Sequence, residues 1–149
     1  MMSAEPKTQD LTEQAAHLRL AITRTARRMR QEAGSQIGPA ATAALATIEH
    51  HGPLTPSELA KAERIQRPTA TRLIARLEQE ELVVRAADPA DGRCSLISVT
   101  AEGRALLRRL RKRKNAYLAR RMRDLPSEDV ATLERAAGIL ERVLEEDRG

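Results

Sequence analysis

The chain has 149 residues, which is enough for one domain with a continuous core but too few for two independent ones. Its aromatic residues amount to a single tyrosine, which excludes an aromatic platform for stacking single-stranded bases. The net charge of +5 favours an anionic partner, and ten basic residues against one acidic residue are concentrated in residues 101–123.

Cysteine content and hydropathy indicate the cellular compartment of the protein. Cys94 is the only cysteine, so an intrachain disulfide and a thiolate-rich metal site within one chain are both excluded. The polar start of the chain lacks the apolar core of a signal peptide, and the uncharged, alanine-rich stretch at residues 37–48 is too short to cross a bilayer. We therefore expect a cytoplasmic protein with no cofactor, no metal and no membrane partner.

The first two predicted elements are helices. Apolar residues recur in steps of three and four from Leu11 to Met29, which predicts a long amphipathic helix that ends near Gly34. Residues 38–51 are rich in alanine and are followed by a Gly-Pro pair, which stops a helix. We expect this second helix to be buried.

Capping residues mark the third and fourth helices. Thr55, Pro56 and Glu58 form a capping box with proline in the first turn, so a short third helix starts there. After a turn of about three residues, a fourth helix begins at Arg67 and runs to about Glu81. Its periodicity turns four aliphatic residues toward the core, namely Ala70, Leu73, Ile74 and Leu77. The opposite face, turned toward solvent, carries Pro68, Thr69, Thr71, Arg72, Ala75, Arg76 and Gln79.

The period then changes to that of β-strands. Residues 82–86 and 95–99 are rich in β-prone side chains and flank a polar stretch with an Asp-Gly pair, which is a frequent hairpin turn. A β-hairpin with a charged tip is therefore predicted directly after the fourth helix.

Two long helices close the chain. Thr100 caps a basic fifth helix that runs to about Arg123, and after Pro126 a sixth helix carries apolar residues at heptad-like spacing. A monomer of this size cannot easily cover the apolar stripes of the first and last helices, so we expect a homodimer with dimerisation helices at residues 8–34 and 104–147. The expected dimer contacts are Leu11, Leu18, Ile22, Val130, Leu133, Leu140 and Leu144.

A short capped helix, a tight turn, a second helix with an exposed polar face and a charged hairpin together form a winged helix-turn-helix over residues 38–103. The fold class is therefore mainly α with a small β-hairpin wing, in one domain spanning residues 1–149. Because the major groove of duplex DNA admits one α-helix, the fourth helix can act as a recognition helix. Its predicted DNA-binding residues are Arg67, Pro68, Thr69, Thr71, Arg72 and Arg76. Arg72 and the threonines are expected to meet bases, and Arg67 and Arg76 to lie nearer phosphates.

The middle of the chain resembles the MarR family of bacterial transcription regulators. The resemblance lies in LTPSELAKAERIQRPTATRLIARLEQEELVVR, DPADGR and VTAEGRALL, between Gly52 and Leu107. It implies the order α1–α2–α3–α4–wing–α5–α6, with the terminal helices of two chains interlocked as a dimerisation domain. It also implies a wing with an Asp-x-Arg pair, here Asp91 and Arg93, whose tip enters the minor groove.

Two positions depart from the family pattern. The glycine usual after the recognition helix is replaced by Glu81, and the residue within the Asp-x-Arg pair, frequently basic in relatives, is Gly92. Arg93 is therefore the main DNA-contacting candidate of the wing. Lesser phosphate contacts are expected from Thr55, Ser57 and Arg104.

Operator-specific repression by a homodimer is the function that we expect, with recognition helices about 34 Å apart on a pseudo-palindromic site. The family suggests a small-molecule effector as well. Because Tyr117 is the sole aromatic residue, the pocket would be aliphatic and edged by arginine, which favours anionic or amphiphilic ligands. Two alternatives are a non-specific architectural DNA binder and a winged-helix module that contacts proteins without binding DNA. No catalytic motif is present, so enzymatic activity is not expected.

Two further features admit two interpretations each. Cys94 borders the wing and is a candidate redox sensor, since the neighbouring Arg93 is expected to lower its pKa, but a lone thiol is more often inert. The basic fifth helix could track phosphate or neutralise the acidic sixth helix, and we expect both. The expected ion pairs join Arg120, Arg121 and Arg123 to Glu134, Glu141 and Glu145.

Overall fold

The computed structural model of the protein describes residues 8–146, and over this range six helices and one β-hairpin form. Their bounds are α1 Thr8–Ala33, α2 Gly38–His51, α3 Pro56–Glu63, α4 Arg67–Gln79, β1 Val83–Ala87, β2 Ser95–Val99, α5 Ala101–Met122 and α6 Ser127–Glu146. The order and type of these elements confirm the predicted mainly α fold with a β-hairpin wing. Residue 147, predicted to end the second dimerisation segment, lies outside the described residues.

The chain divides into two compact units, the first ending at Lys114 and the second beginning at Asn115. The first unit holds α1 to β2 and the greater part of α5, and therefore contains all the residues predicted to contact DNA. The second unit holds the end of α5 and α6.

The core of the first unit is aliphatic. Its large side chains that are fully buried are Leu45, Ile48, Leu59, Ile74, Leu77, Ile97 and Leu110. No polar or charged side chain is buried within the described part of the chain. Four residues of α2 are buried, which confirms the prediction of a buried second helix. Because burying one such side chain stabilises a fold by about 1.5–3 kcal/mol, Ile74 and Leu77 alone hold α4 firmly against the core.

Local capping fixes both ends of α3. The Thr55 hydroxyl accepts a hydrogen bond from the Glu58 backbone N–H (3.1 Å), and the Glu58 carboxylate accepts one from the Thr55 N–H (3.2 Å). This is the predicted capping box. Arg64 ends the helix in the left-handed region, with a φ of 53°. The direction of the chain between α3 and α4 is therefore set by backbone conformation within a short turn.

The recognition helix α4 ends slightly earlier than predicted. It stops at Gln79, and Glu81 adopts a left-handed conformation with a φ of 60°. Glycine takes this conformation with least strain, which accounts for the glycine usual at this position in the family that the sequence resembles. Thr100 stabilises the bend, since its hydroxyl donates to the Glu81 carbonyl oxygen (2.7 Å) and accepts from the Gly103 N–H (3.0 Å).

The wing is a two-stranded antiparallel hairpin, as predicted. Its paired residues run from Val83 opposite Val99 to Ala87 opposite Ser95. The connecting loop comprises residues 88–94, and within it the Asp91 carbonyl oxygen accepts a hydrogen bond from the Cys94 N–H (3.0 Å). Gly92 and Arg93 therefore form the centre of a β-turn at the tip.

Gly103, in the first turn of α5, lies against the base of the wing. A Cβ atom at this position would lie 2.3 Å from the Leu82 carbonyl oxygen and 2.8 Å from Cγ2 of Val99. Because real Cβ contacts are never this short, the close approach of α5 to the wing depends on glycine.

In the second unit, α6 presents a wide apolar face. Its exposed large apolar side chains are Leu133, Ile139, Val143 and Leu144, and Val130 and Leu140 are half-buried. Ile139 and Val143 lie beside the predicted heptad stripe rather than in it, because of the helical period of about 3.6 residues. The sequence analysis therefore recognised only part of this face.

Candidate nucleic-acid interface

The outward face of α4 carries the predicted DNA-binding side chains. Thr69 is half-buried, and the exposed members of this face are Arg67, Pro68, Thr71, Arg72, Ala75, Arg76 and Gln79. The opposite residues Ala70, Ile74 and Leu77 are buried. The helical periodicity therefore predicted the orientation of the helix correctly.

Side-chain hydrogen bonds to nearby residues of the helix give this face local order. A terminal guanidinium nitrogen of Arg72 donates to the Thr69 hydroxyl (3.3 Å), and the Thr71 hydroxyl donates to the Arg67 carbonyl oxygen (3.0 Å). Arg72 is therefore restrained before any ligand binds. Thr71 keeps its methyl group and hydroxyl lone pairs free for an external contact.

Arg76, predicted to lie near phosphate, has a different partner in the structure. It donates to the Gln36 carbonyl oxygen (3.0 Å), in the connection between α1 and α2. Sequence reasoning missed this bond, because it joins residues 40 positions apart and ends on a backbone atom.

An ion pair ties the wing to α4. Arg85 of β1 donates from Nε (3.2 Å) and from a terminal nitrogen (2.7 Å) to one carboxylate oxygen of Glu78. Since both side chains are partly exposed, the pair adds little stability, but it neutralises the Glu78 carboxylate beside the recognition surface.

At the wing tip, aspartate side chains shape the loop. The Asp91 carboxylate accepts from the Arg93 N–H (3.0 Å), and the Asp88 carboxylate accepts from the Ala90 N–H (2.9 Å). Asp91 is therefore a turn-forming residue in this chain. The exposed Arg93 is the one side chain at the tip that can offer a positive charge.

Cys94 is exposed beside this turn, with its Sγ atom 3.6 Å from a carboxylate oxygen of Asp91. The negative charge of Asp91 and, to a lesser extent, desolvation raise the pKa of the Cys94 thiol, while Arg67 opposes them. The expectation that Arg93 lowers this pKa is wrong, because the aspartate is the nearer influence. The thiol is thus less ionised at neutral pH than an ordinary cysteine, which disfavours the redox interpretation.

The lesser phosphate candidates lie at helix starts. Thr55 is the half-buried N-cap of α3, Ser57 is exposed in the first turn of α3, and Arg104 is exposed in the first turn of α5. The Thr55 hydroxyl oxygen accepts a hydrogen bond in the capping box, which leaves the hydroxyl proton free to donate to a phosphate.

A cleft of about 880 Å³ lies within the first unit, between α1, α2 and α5. Four basic residues line it: Arg27, Arg30, Arg111 and Lys114. Its apolar lining is Ala33, Pro39, Ala40, Ala43, Ala46, Leu107 and Leu110. Arg111 is paired with Glu49 (2.9 Å), so the other three cations supply the positive potential of the cleft.

Two basic residues of α5 have partners that the sequence did not predict, and the predicted ion pairs with α6 are absent from the described residues. Besides the Arg111 pair with Glu49, Arg113 donates to the Ala33 carbonyl oxygen (3.0 Å). Within residues 115–146 no salt bridge joins the end of α5 to α6, so the expected pairs of Arg120, Arg121 and Arg123 with Glu134, Glu141 and Glu145 do not form inside the subunit. Arg120 instead lies 5.9 Å from the ring centroid of Tyr117, a cation–π contact.

Residues 8–146 hold neither a membrane-spanning helix nor a three-residue metal cluster. None of the described helices could cross a membrane, by length and hydropathy together. The described histidine, cysteine and acidic side chains form no cluster of three that could hold a metal ion.

Comparison with known proteins gives consistent matches. The model of the MarR family matches residues 37–95. An uncharacterised HTH-type transcriptional regulator of Mycobacterium leprae is 34% identical over 133 residues, covering 89% of this chain and 93% of that protein. The HTH-type transcriptional repressor NicR of Pseudomonas putida is 36% identical over 100 residues, covering 66% of this chain and 63% of NicR. A crystal structure of a Pseudomonas aeruginosa protein described as a transcriptional regulator has a TM-score of 0.84 and 36% identity, and the match covers 93% of this chain and 98% of that one.

Proposed function

Because this chain belongs to the MarR family of transcriptional regulators, we propose that it is a repressor that binds a pseudo-palindromic DNA operator as a homodimer. Members of this family regulate transcription by binding DNA and are not enzymes. The observation that carries the proposal is the exposed arginine and threonine face of α4, which an aliphatic core holds beside a hairpin wing.

In this proposal Arg72 reads a base in the major groove. Its guanidinium is restrained by Thr69, so less side-chain entropy is lost when the two acceptors of a guanine are bound. Such a bidentate contact discriminates between bases by about 1–3 kcal/mol. Thr69 and Thr71 add contacts to base edges. Arg67 and Pro68, at the start of α4, contact the DNA backbone, and Arg93 of the wing enters the minor groove.

Homodimerisation is proposed from the apolar side chains that the subunit leaves in solvent. Leu11 and Leu18 of α1 are each 51% exposed, and Leu144 of α6 is 66% exposed. Stripes of this kind on a monomer mark protein contacts. A second copy would cover them and, by two-fold symmetry, present two recognition helices to successive turns of one duplex.

Repression is the regulatory direction that we favour, since NicR is a repressor by name and shares 36% identity with this chain over 100 residues. The effector would be an anionic amphiphile bound in the cleft. Arg27, Arg30 and Lys114 supply the positive charge, and the alanine and leucine lining accommodates an apolar body.

Selection of bound duplexes from random DNA tests the DNA-binding proposal. Wild-type protein should enrich a pseudo-palindromic sequence, and Arg72→Ala should lose discrimination at one base pair of each half-site by roughly tenfold, which corresponds to about 1.4 kcal/mol. Arg19→Ala, which removes one exposed arginine of α1, is the matched control and should keep full selectivity.

Other outcomes of this selection support the alternative functions. Equal enrichment of unrelated duplexes would favour a non-specific DNA binder, and Arg72→Ala would then lower affinity slightly on every duplex. No binding even at low salt would favour a protein-interaction module. Either result would contradict operator-specific repression.

The cleft is tested with anilinonaphthalene sulfonate, a fluorescent amphiphilic anion. Binding should weaken about tenfold in Arg30→Ala, since one charge-assisted contact contributes at least about 1.4 kcal/mol, and should be unchanged in Arg19→Ala. The dye should also lower the affinity of wild-type protein for its operator. Equal dye affinity in both variants would show that the cleft is not the anion site.

A further inference from the structure

The connection between α1 and α2, residues 34–37, is held from two sides by arginine. We call this segment the connector. Arg76 of α4 donates to the Gln36 carbonyl oxygen (3.0 Å), and Arg113 of α5 donates to the Ala33 carbonyl oxygen (3.0 Å) just before the connector. The Ala33 carbonyl is one of those that the end of a helix leaves without an intrahelical partner. Side-chain hydrogen bonds therefore tie the connector to the recognition helix, and the residue just before it to α5.

Glycines in the left-handed region mark both ends of the connector. Gly34, its first residue, has a φ of 59°, and Gly38, directly after it, has a φ of 80°, a conformation that glycine adopts with least strain. Its apolar anchors Ala33 and Ile37 are buried. Since Ile37 belongs to the core of the first unit, the connector is anchored by apolar packing as well as by the two arginine bonds.

The same connector forms part of the wall of the cleft. Ser35 lines the cleft directly, and so do its neighbours Ala33, Gly38 and Pro39. Gln36, which receives the bond from Arg76, lies between these residues in the chain. A ligand in the cleft would thus touch a segment that is bonded to the recognition helix.

We propose that Arg76 is a positioning residue, which fixes the recognition helix to the connector and thereby to one wall of the cleft. This inference rests on the proposed function for its consequence on DNA, but the bond itself belongs to the free protein. It replaces the sequence-based expectation that Arg76 acts by contacting phosphate.

The salt dependence of operator binding separates the two roles. Each phosphate contact contributes about 0.9 to the slope of log K against log salt concentration. We expect Arg76→Ala to weaken operator binding about threefold or more with the slope unchanged, because helix position and not a phosphate contact is lost. The control Arg67→Ala, at the other end of the same helix, should lower the slope by about 0.9 per subunit.

Hydrogen exchange of the free protein supplies a readout without DNA. The Gly34 amide is the probe in the connector, because its N–H donates a hydrogen bond to the Arg30 carbonyl oxygen (3.1 Å). In Arg76→Ala this amide should exchange about threefold or more faster, since loss of the Arg76 bond loosens the connector. In Arg67→Ala its exchange should match wild type. If wild-type protein selects no operator, the proposed function fails, and the exchange measurement still decides whether Arg76 holds the connector. A slope lowered by about 0.9 in Arg76→Ala, or connector exchange equal to wild type, would overturn the assignment.

Discussion

Replacing Gly103 by alanine perturbs the junction between α5 and the wing at a single atom. The new Cβ would lie 2.3 Å from the Leu82 carbonyl oxygen, and an ordinary contact begins at 3.4 Å, so the two groups must separate by about 1.1 Å. The obstacle is backbone, and the same oxygen accepts a hydrogen bond from the Thr100 N–H (3.0 Å). Neither group can rotate away as a flexible side chain would.

The expected cost follows from two opposing effects. Overpacking of a rigid site destabilises a fold by about 1–3 kcal/mol, and a backbone obstacle belongs at the upper end of that range. Alanine regains about 1 kcal/mol over glycine through its higher helix propensity. The net loss in the free energy of unfolding is therefore about 2 kcal/mol, or about 4–8 °C in Tm for a chain of this length.

Urea denaturation at a fixed protein concentration measures this loss. Gly138→Ala is the matched control, because Gly138 lies within α6 and a Cβ there meets nothing within 4 Å. The control should gain up to about 1 kcal/mol from helix propensity. If Gly103→Ala proves as stable as wild type, the close approach of α5 to the wing does not constrain residue 103 and the reasoning is refuted.

Two further substitutions test the wing and its junction. Glu81→Gly should raise the free energy of unfolding by about 0.5–1 kcal/mol. Glycine relieves the strain of the left-handed backbone at φ 60°, and the greater entropy of glycine in the unfolded chain offsets part of that gain. A calorimetric Tm at or below that of wild type would contradict this. Asp91→Asn keeps an acceptor for the Arg93 N–H but removes the charge that most raises the pKa of Cys94, so the rise of the iodoacetamide alkylation rate with pH should move to lower pH than in wild type. Coincident pH profiles would show that the aspartate does not control the thiol.

Much of the fold could be predicted because its determinants are local. The capping box of Thr55 and Glu58 acts across three residues, and the 3.6-residue period of α4 orients Arg72 outward and Ile74 inward without reference to any other element. The hairpin is likewise predicted by a local signal, two β-prone segments on either side of a turn. For the same reason the sequence alone is enough to identify the outward face of the recognition helix.

The features that sequence reasoning missed depend on contacts between distant segments. The bonds of Arg76 to Gln36 and of Arg113 to Ala33 span 40 and 80 residues and end on backbone oxygens, which carry no sequence signal. Gly103 lies in VTAEGRALL, one of the segments that carry the family resemblance. Only the packed structure shows why a residue with a larger side chain does not fit there. The sequence predicted that α4 ends near Glu81, two residues too late, because glutamate is not a residue type that indicates a left-handed helix end.

The charges near the DNA-binding face indicate how the proposed complex divides its work between helix and wing. Within residues 88–94 two aspartates against the one Arg93 give a formal charge of −1, and each carboxylate is occupied in shaping the turn. On α4 the carboxylate of Glu78 is neutralised by Arg85, and among the described residues neither Arg67 nor Arg72 forms a salt bridge. In a dimer the recognition helices would therefore supply most of the electrostatic attraction, and each wing a single cationic contact. Arg93→Ala should therefore lose less operator affinity than Arg67→Ala. Operator titrations of the two variants at one salt concentration measure this, and a larger loss in Arg93→Ala would contradict the division between helix and wing.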